Sequence, residues 1–265
     1  MKEIFNIAIT AAIEGGKKIM EIYNDNDFQV ENKEDDSPLT IADKKANDII
    51  NDYLLPTGIP IISEENKQLD FSERKNWSNC WIVDPLDGTK EFIKKNGEFT
   101  VNIAFIENNK PMFGVIYVPA KKELYYGNVL ISKSFKGVVG DKKFEFQQSN
   151  FTEIHPSSVG EKIRIVGSRS HMNQETLDYI EALKTKYSKE VEIVSKGSSL
   201  KFCLVAEGKA DVYPRYAPTM EWDTAAGQAI CNAVGLEVID NEIGKSMKYN
   251  RENLLNNYFL VSNLG

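Results

Sequence analysis

Residues 81–89, Trp-Ile-Val-Asp-Pro-Leu-Asp-Gly-Thr, constrain this chain more than any other stretch. Trp81, Ile82 and Val83 read as the end of a buried strand. Asp84-Pro85 is expected to stop it, because proline fixes φ and offers no N–H to a sheet ladder. Asp84 and Asp87 lie three apart across the bend, so both carboxylates can face one point. Gly88 lets the backbone approach closely, and residues 89–95 can open a helix. Two readings stay open here. One is a turn whose aspartates bond to neighbouring backbone, as Asp-Gly pairs commonly do. The other is a strand end, two convergent carboxylates and a helix N-terminus, together a site for cations and phosphate.

Composition narrows the classes. A chain of 265 residues with 42% hydrophobic and 27% charged residues is globular. It has room for one large domain or for two lobes sharing a cleft. A net charge of −7 argues against a nucleic-acid duplex as partner. It leaves room for a small anionic substrate, because a bound divalent metal inverts the local field. Cys80, Cys203 and Cys231 are scattered without a Cys-x-x-Cys pair, and two histidines leave little for a zinc site. Reduced, buried thiols in a cytoplasmic protein are expected. The chain starts directly on an amphipathic pattern with no targeting segment. No apolar run reaches the roughly 20 residues of a membrane span.

Along the chain, Ile4, Ile7, Ala8, Ala11, Ala12, Ile19 and Ile22 keep helical spacing. Residues 24–36 are polar and acidic and read as a loop. A second helix is expected over 40–55, with Asp43 in its first turn. Residues 59–63 read as a short buried strand with Glu64-Glu65 at its exit. Residues 99–107 and 112–118 alternate around Asn108-Asn109-Lys110, a hairpin signal, and 123–128 and 132–139 continue the series. A polar shift at 147–160 marks the expected lobe boundary. Beyond it, strands at 163–167, 191–194, 211–214, 236–239 and 259–261 interleave with helices at 174–187, 199–207 and 223–234. Such alternation implies layered α/β packing.

Three further stretches bear on the central motif. Glu64-Glu65 places acids at a strand end about twenty residues before Asp84. Trp222-Asp223-Thr224-Ala225-Ala226-Gly227 places an aspartate at a helix start among small residues. Residues 33–43 read Lys-Glu-Asp-Asp-Ser-Pro-Leu-Thr-Ile-Ala-Asp. Each has an ordinary explanation when taken alone. Asp223 can be a charge favoured by the helix dipole, Glu64-Glu65 a solvated loop, and Asp43 a surface residue of its helix.

In this order, the stretches resemble a metal-dependent, lithium-sensitive phosphatase superfamily. It includes inositol monophosphatases, fructose-1,6-bisphosphatases and 3′(2′),5′-bisphosphate nucleotidases. Its pattern of Glu-Glu, Asp-Pro-Leu/Ile-Asp-Gly-Thr and Trp-Asp with small residues is met by 64–65, 84–89 and 222–227. The resemblance spans Ala11 to about Val238. Within the superfamily, 37–43, Gly167-Ser168-Arg169-Ser170-His171, 197–203 and 211–215 are similar to the bacterial nucleotidase branch. Residues 141–155 carry no family landmark.

The resemblance implies a layered αβαβα, sugar-phosphatase-like fold of two lobes, 1–152 and 153–265, with the active site in the cleft between them. It implies two Mg²⁺ ions, with Mn²⁺ able to substitute. Asp84 would bridge them, Glu64 and the Leu86 carbonyl would complete one, and Asp87 with Asp223 the other. A third ion could sit near Glu64 and Glu65. Thr89 beside Asp43 would orient and deprotonate the attacking water, and the Gly88 and Thr89 amides would hold the phosphate. Lys201 and Arg215 are expected at a remote phosphate, with Ser168, His171 and Ser198 at the nucleoside. The expected activity is hydrolysis of adenosine 3′,5′-bisphosphate to AMP and phosphate in sulfur metabolism, with 3′-phosphoadenylyl sulfate a second substrate and lithium an inhibitor. The alternatives are an inositol-1-phosphate phosphatase and, from another class, a metal-binding regulatory protein with a degenerate site. The expected location is the cytoplasm, including the cytoplasmic face of a bacterial inner membrane, and oligomeric state stays open.

Overall fold

The computed structural model describes residues 3–25, 30–32, 38–140, 144–167 and 173–264, and of 30–32 and 38–39 the backbone only. The N-terminal amphipathic pattern forms helix α1 (Glu3–Tyr23), which buries Phe5, Ile9, Ile13 and Ile19 among others. Burial of each such side chain contributes about 1.5–3 kcal/mol. A small antiparallel pair follows, β1 (Val30–Asn32) and β2 (Pro38–Thr40), and leads into α2 (Ile41–Leu54). Then come β3 (Ile61–Ser63), α3 (Phe71–Arg74), β4 (Asn79–Asp87) and α4 (Thr89–Ile93). The meander β5 (Thr100–Glu107), β6 (Lys110–Val118), β7 (Glu123–Asn128), β8 (Lys133–Val138) and β9 (Phe151–Ile154) completes one sheet. These strands pair in chain order from β3 to β9, parallel only at the β3–β4 step.

The second sheet is built from β10 (Ile163–Gly167), β11 (Val191–Ser195), β12 (Val212–Arg215), β13 (Val238–Asp240), β14 (Lys245–Ser246) and β15 (Phe259–Ser262). Its order is β11-β10-β12-β15-β13-β14, with β11, β10 and β12 parallel and the rest antiparallel. The helices of this half are α5 (Gln174–Tyr187), α6 (Leu200–Ala206) and α7 (Glu221–Asn232). Among the described residues, no helix is long and apolar enough to cross a membrane.

The period of two along the central strands explains the layering. Trp81, Val83, Ile103 and Phe105 pack with α1 and α2 on one face of the first sheet. Cys80, Ile82, Ala104 and Ile106 point the other way, onto Phe202 and Cys203 of α6 and Ala226 and Ile230 of α7. The same middle layer meets Val238, Phe259 and Val261 of the second sheet. Ile180 and Leu183 of α5 cover that sheet's far face over Ile163, Ile165 and Val212. The stack is therefore helix, sheet, helix, sheet, helix, as expected. Strands buried on both faces read as nearly continuous apolar runs.

Two local expectations fail: residues 30–32, read as part of a loop, form strand β1 paired with β2, and β4 overruns its expected end. Strand β4 does not stop at Asp84-Pro85 but runs on to Asp87. Asp84 pairs with Asn102, and Asp87 pairs with Thr100, so three steps on β4 match two on β5. That is a one-residue bulge, a setting that tolerates the missing proline N–H. The bulge also explains the convergence of the aspartates. In a regular strand, residues three apart face opposite sides. The extra residue puts Asp84 and Asp87 on the same side, the one toward α6 and α7.

Helix α7 must lie close on this sheet to bring Asp223 to that side. Gly114 of β6 and Gly127 of β7 permit it. A Cβ at Gly114 would collide with the Ala226 backbone, and one at Gly127 with Ile230 Cα and the Ala229 carbonyl. Gly114→Ala is therefore expected to cost about 1–3 kcal/mol by overpacking. A lowered denaturant midpoint checks this; a midpoint equal to wild type would contradict such close seating.

Candidate active site

Four carboxylates meet where β3, β4 and α7 end or begin. After β3, the Glu64 N–H still donates to the Val83 carbonyl at 3.1 Å, which keeps Glu64 beside the bulge. Asp84 is only 1% exposed, and its Oδ1 accepts from the Leu86 N–H at 3.0 Å. The Leu86 side chain turns away into the α1 and α2 layer. Asp223 sits in the first turn of α7, where its Oδ2 accepts from the Met220 N–H at 2.7 Å. One oxygen each of Asp84, Asp87 and Asp223 lies within 4.8 Å of the others.

Such a group is unfavourable by itself. At 4.8 Å and an effective dielectric near 20, each ionised pair repels by about 3 kcal/mol. Hydrogen bonds contributing about 1 kcal/mol each do not offset that. Burial first, and then the charges of Glu64, Asp87, Asp223 and Asp43, push Asp84 well above the usual carboxylate range. Asp223 rises too, through burial and then Asp87 and Glu64, against the pull of the Met220 amide and Arg215. The trio must hold either protons or a cation. Its donors are all oxygen, which suits a hard divalent ion and not zinc or copper. Glu65 lies half-buried one residue beyond Glu64, and the trio forms without it.

Asp43 and Thr89 form a second pair beside the cluster. Thr40 caps α2 through its hydroxyl, which accepts from the Ala42 N–H at 3.1 Å. In return Asp43 Oδ2 accepts from the Thr40 N–H at 2.8 Å and its hydroxyl at 2.6 Å, closing a capping box. Asp43 is thus a buried residue at 2% exposure, and the surface-helix explanation does not hold. Its other oxygen, Oδ1, accepts from Thr89 Oγ1 at 3.1 Å. Gly88 precedes Thr89 with φ 95°, and a Cβ there would crowd the Glu98 carbonyl at 3.3 Å. Only glycine adopts that turn without strain.

A solvent-open cleft of about 170 Å³ extends from Asp87 and Asp223 to the end of β12. Gly88, Ser198, Lys201 and Arg215 line it. Lys201 is 7% exposed, donates to the Ser198 carbonyl at 2.7 Å, and lies over the Tyr213 ring at 5.7 Å. Burial pulls its pKa down to about 8, opposed by Asp87 and reinforced by Arg215. Arg215 ends β12 and spends one nitrogen, Nη2, on the Pro218 carbonyl at 3.2 Å. Arg215 Nε and Ser198 Oγ are buried without a hydrogen-bond partner among the described residues. Two buried polar atoms in that state call for a ligand or water. Ser168 and His171, expected at the nucleoside, lie outside the described residues.

Sequence reasoning passed over Asn102, Ser199 and Glu98. Asn102 Nδ2 donates to Ser199 Oγ at 2.9 Å, and Ser199 contacts Asp87. Glu98 accepts from the Gly197 N–H at 2.9 Å and from Lys196 at 3.1 Å, tying that loop to the first sheet. A signal existed for Asn102. It is the one amide in the otherwise apolar core of β5, and a buried amide needs a partner.

The carboxylate cluster, the capping-box aspartate and the five-layer stack define a class, and comparison with known proteins agrees. A model of the inositol monophosphatase family matches residues 1–263, and the chain belongs to that family. Within the family, the 3′(2′),5′-bisphosphate nucleotidase CysQ of Salmonella typhimurium is 45% identical over 251 residues, covering 93% of this chain and 94% of that protein. The crystal structure of CysQ from Bacteroides thetaiotaomicron, a bacterial member of the family, matches with a TM-score of 0.87 at 50% identity, covering 97% of this chain and 95% of that one. The IMPase from Thermotoga maritima matches with a TM-score of 0.69 at 22% identity over 96% of this chain and 90% of that one, a likeness of fold alone.

Proposed function

We propose that the protein is a magnesium-dependent 3′(2′),5′-bisphosphate nucleotidase. It removes the 3′-phosphate of adenosine 3′,5′-bisphosphate to leave AMP and phosphate in the cytoplasm. 3′-Phosphoadenylyl sulfate, which carries the same 3′-phosphate, is a second substrate in this reading. The observation that carries it is one cleft lined by Asp87 and Asp223 of the oxygen-only acidic cluster and by two cationic side chains, Lys201 and Arg215. A monophosphate ester needs the first alone; a second phosphate gives the second something to hold. The high identity to CysQ proteins supports the same branch.

In this reading Asp84 would serve two ions, Glu64 and the Leu86 carbonyl would complete one, and Asp87 with Asp223 the other. Glu65 would help hold a third ion, and Mn²⁺ would be able to replace Mg²⁺. Bound there, the ions would neutralise charge on the phosphoryl oxygens and lower the pKa of the attacking water. Thr89 donates its proton to Asp43 Oδ1, so its lone pairs are left to accept from that water. The water's proton passes to Thr89 as its own proton passes to Asp43. Oδ2 of Asp43 stays locked by Thr40, which keeps Oδ1 aimed at Thr89. The Gly88 and Thr89 amides receive the phosphate at the start of α4. Arg215 and Lys201 grip the 5′-phosphate, Arg215 through its planar fork. Ser198, whose buried hydroxyl lacks a protein partner among the described residues, faces the nucleoside.

The test is phosphate release by wild type from adenosine 3′,5′-bisphosphate, 3′-AMP and inositol 1-phosphate at saturating Mg²⁺. The expected order of kcat/KM puts the bisphosphate first. A preference for inositol 1-phosphate would overturn the reading in favour of an inositol phosphatase. No release from any of the three would leave a metal-binding protein without this activity.

A further inference from the structure

Asp87 and Asp223 come from different elements, one from β4 and one from α7, and like charge drives them apart. Something must hold them together while no cation does. Ser199, the residue before α6, lies between them. Its N–H donates to Asp87 Oδ2 at 2.5 Å. Its hydroxyl oxygen lies 2.7 Å from the same Oδ2 and 2.8 Å from the Asp223 carbonyl. Asn102 Nδ2 donates to that hydroxyl at 2.9 Å and reaches within 3.5 Å of Asp87 Oδ2. Two acceptors at this end of the amide fix its NH₂ there. With a lone pair taken by Asn102, the hydroxyl proton of Ser199 is directed at Asp87 or at the Asp223 carbonyl.

Two features show that this contact is not incidental. Ser199 is the N-cap of α6, yet its hydroxyl makes no capping bond to its own helix. A serine cap contributes about 0.5–2 kcal/mol, and here that is forgone. The residue before it, Ser198, has φ 47°, a left-handed conformation that costs a non-glycine residue energy. Glu98 holds the segment in that shape through Gly197 and Lys196.

We infer that Ser199, oriented by Asn102, is a positioning residue that fixes the Asp87 carboxylate against Asp223 for divalent-cation binding. The inference rests on the metal-dependent reading above. Asp87 Oδ2 is taken by protein donors, and Oδ1 takes none of these bonds. Ser199 thereby sets both the rotamer of Asp87 and its spacing from the first turn of α7. It touches neither substrate nor the attacking water in this account.

The experiment is an Mg²⁺ titration of the metal-free full chain, read as thermal shift and by calorimetry without substrate. Loss of a contact behind a metal ligand weakens metal affinity by about 10–100-fold. Because the Ser199 N–H survives substitution, the Mg²⁺ midpoint of S199A is expected about tenfold higher than wild type. S199C, near in size but a weak donor, should shift likewise and serves if S199A fails to fold. S199T, which keeps the hydroxyl, should stay within about threefold of wild type, and N102A should shift in the same direction by less. A wild-type Mg²⁺ response matched by S199A and S199C would overturn the positioning role and leave the metal reading standing. So would lowered melting temperatures with unmoved midpoints, or S199T titrating like S199A. A wild type that does not respond to Mg²⁺ at all would overturn both.

Discussion

Asp84→Asn is expected to abolish phosphate release while leaving the metal-free protein at least as stable as wild type. The two halves have one cause. Asp84 is buried among three other carboxylates, and burial with their charges opposes its ionisation. Asparagine keeps the acceptor that Leu86 uses and removes the charge, so the metal-free repulsion falls. The same change removes the one ligand assigned to both ions. Charge neutralisation at a transferring phosphoryl group is worth several kcal/mol. At 1.36 kcal/mol per decade, a loss of about three decades or more in kcat follows. Thermal melting with and without Mg²⁺ checks the other half. Wild type should gain stability with Mg²⁺ through ligand linkage, and the variant should gain much less. Near-normal turnover at moderate Mg²⁺ would remove the bridging assignment.

Asp43→Asn should separate chemistry from metal binding. Asp43 contacts Thr89 and Thr40, and it stands outside the metal-capable trio. Asparagine can still accept through one oxygen but is a far poorer proton acceptor. General-base assistance contributes about 10²–10⁴-fold, and kcat should fall by that order. The Mg²⁺ midpoint from thermal shift should stay near wild type, and KM should move little, since the interaction is realised in the transition state. Loss of the Mg²⁺ response would make Asp43 a ligand and overturn its role as base.

Particular residues show why some of this was legible in the sequence. The convergence of Asp84, Asp87 and Asp223 was legible because these acids lie at a strand end and a helix start, and those ends announce themselves by proline, glycine and small residues. The five layers follow from apolar runs buried on both faces. The course of β4 was misread because Pro85 was given the weight of a breaker. In a bulge its missing N–H costs nothing, and the bulge is what turns Asp87 to the same side as Asp84. Ser199 and Glu98 were not legible because each acts through a partner roughly a hundred residues away. Ser199 meets Asp87 and Asn102, and Glu98 meets Gly197. Only the packing of β5 against the loop before α6 creates those contacts. The burial of Lys201 was not legible either, because it comes from α6 lying between the two sheets.

The central claim is that one cleft holds a reacting phosphate at the carboxylates and a second phosphate at Arg215 and Lys201. Its most direct test is kcat/KM of wild type and Arg215→Ala on adenosine 3′,5′-bisphosphate and on 3′-AMP at saturating Mg²⁺. A hydrogen bond to a charged group contributes about 1.5–3 kcal/mol. Arg215→Ala should therefore lose about one to two decades on the bisphosphate. On 3′-AMP, which has no 5′-phosphate to hold, the loss should be several-fold smaller. Equal losses on both nucleotides would contradict the account, because Arg215 would then shape the site without reading the second phosphate.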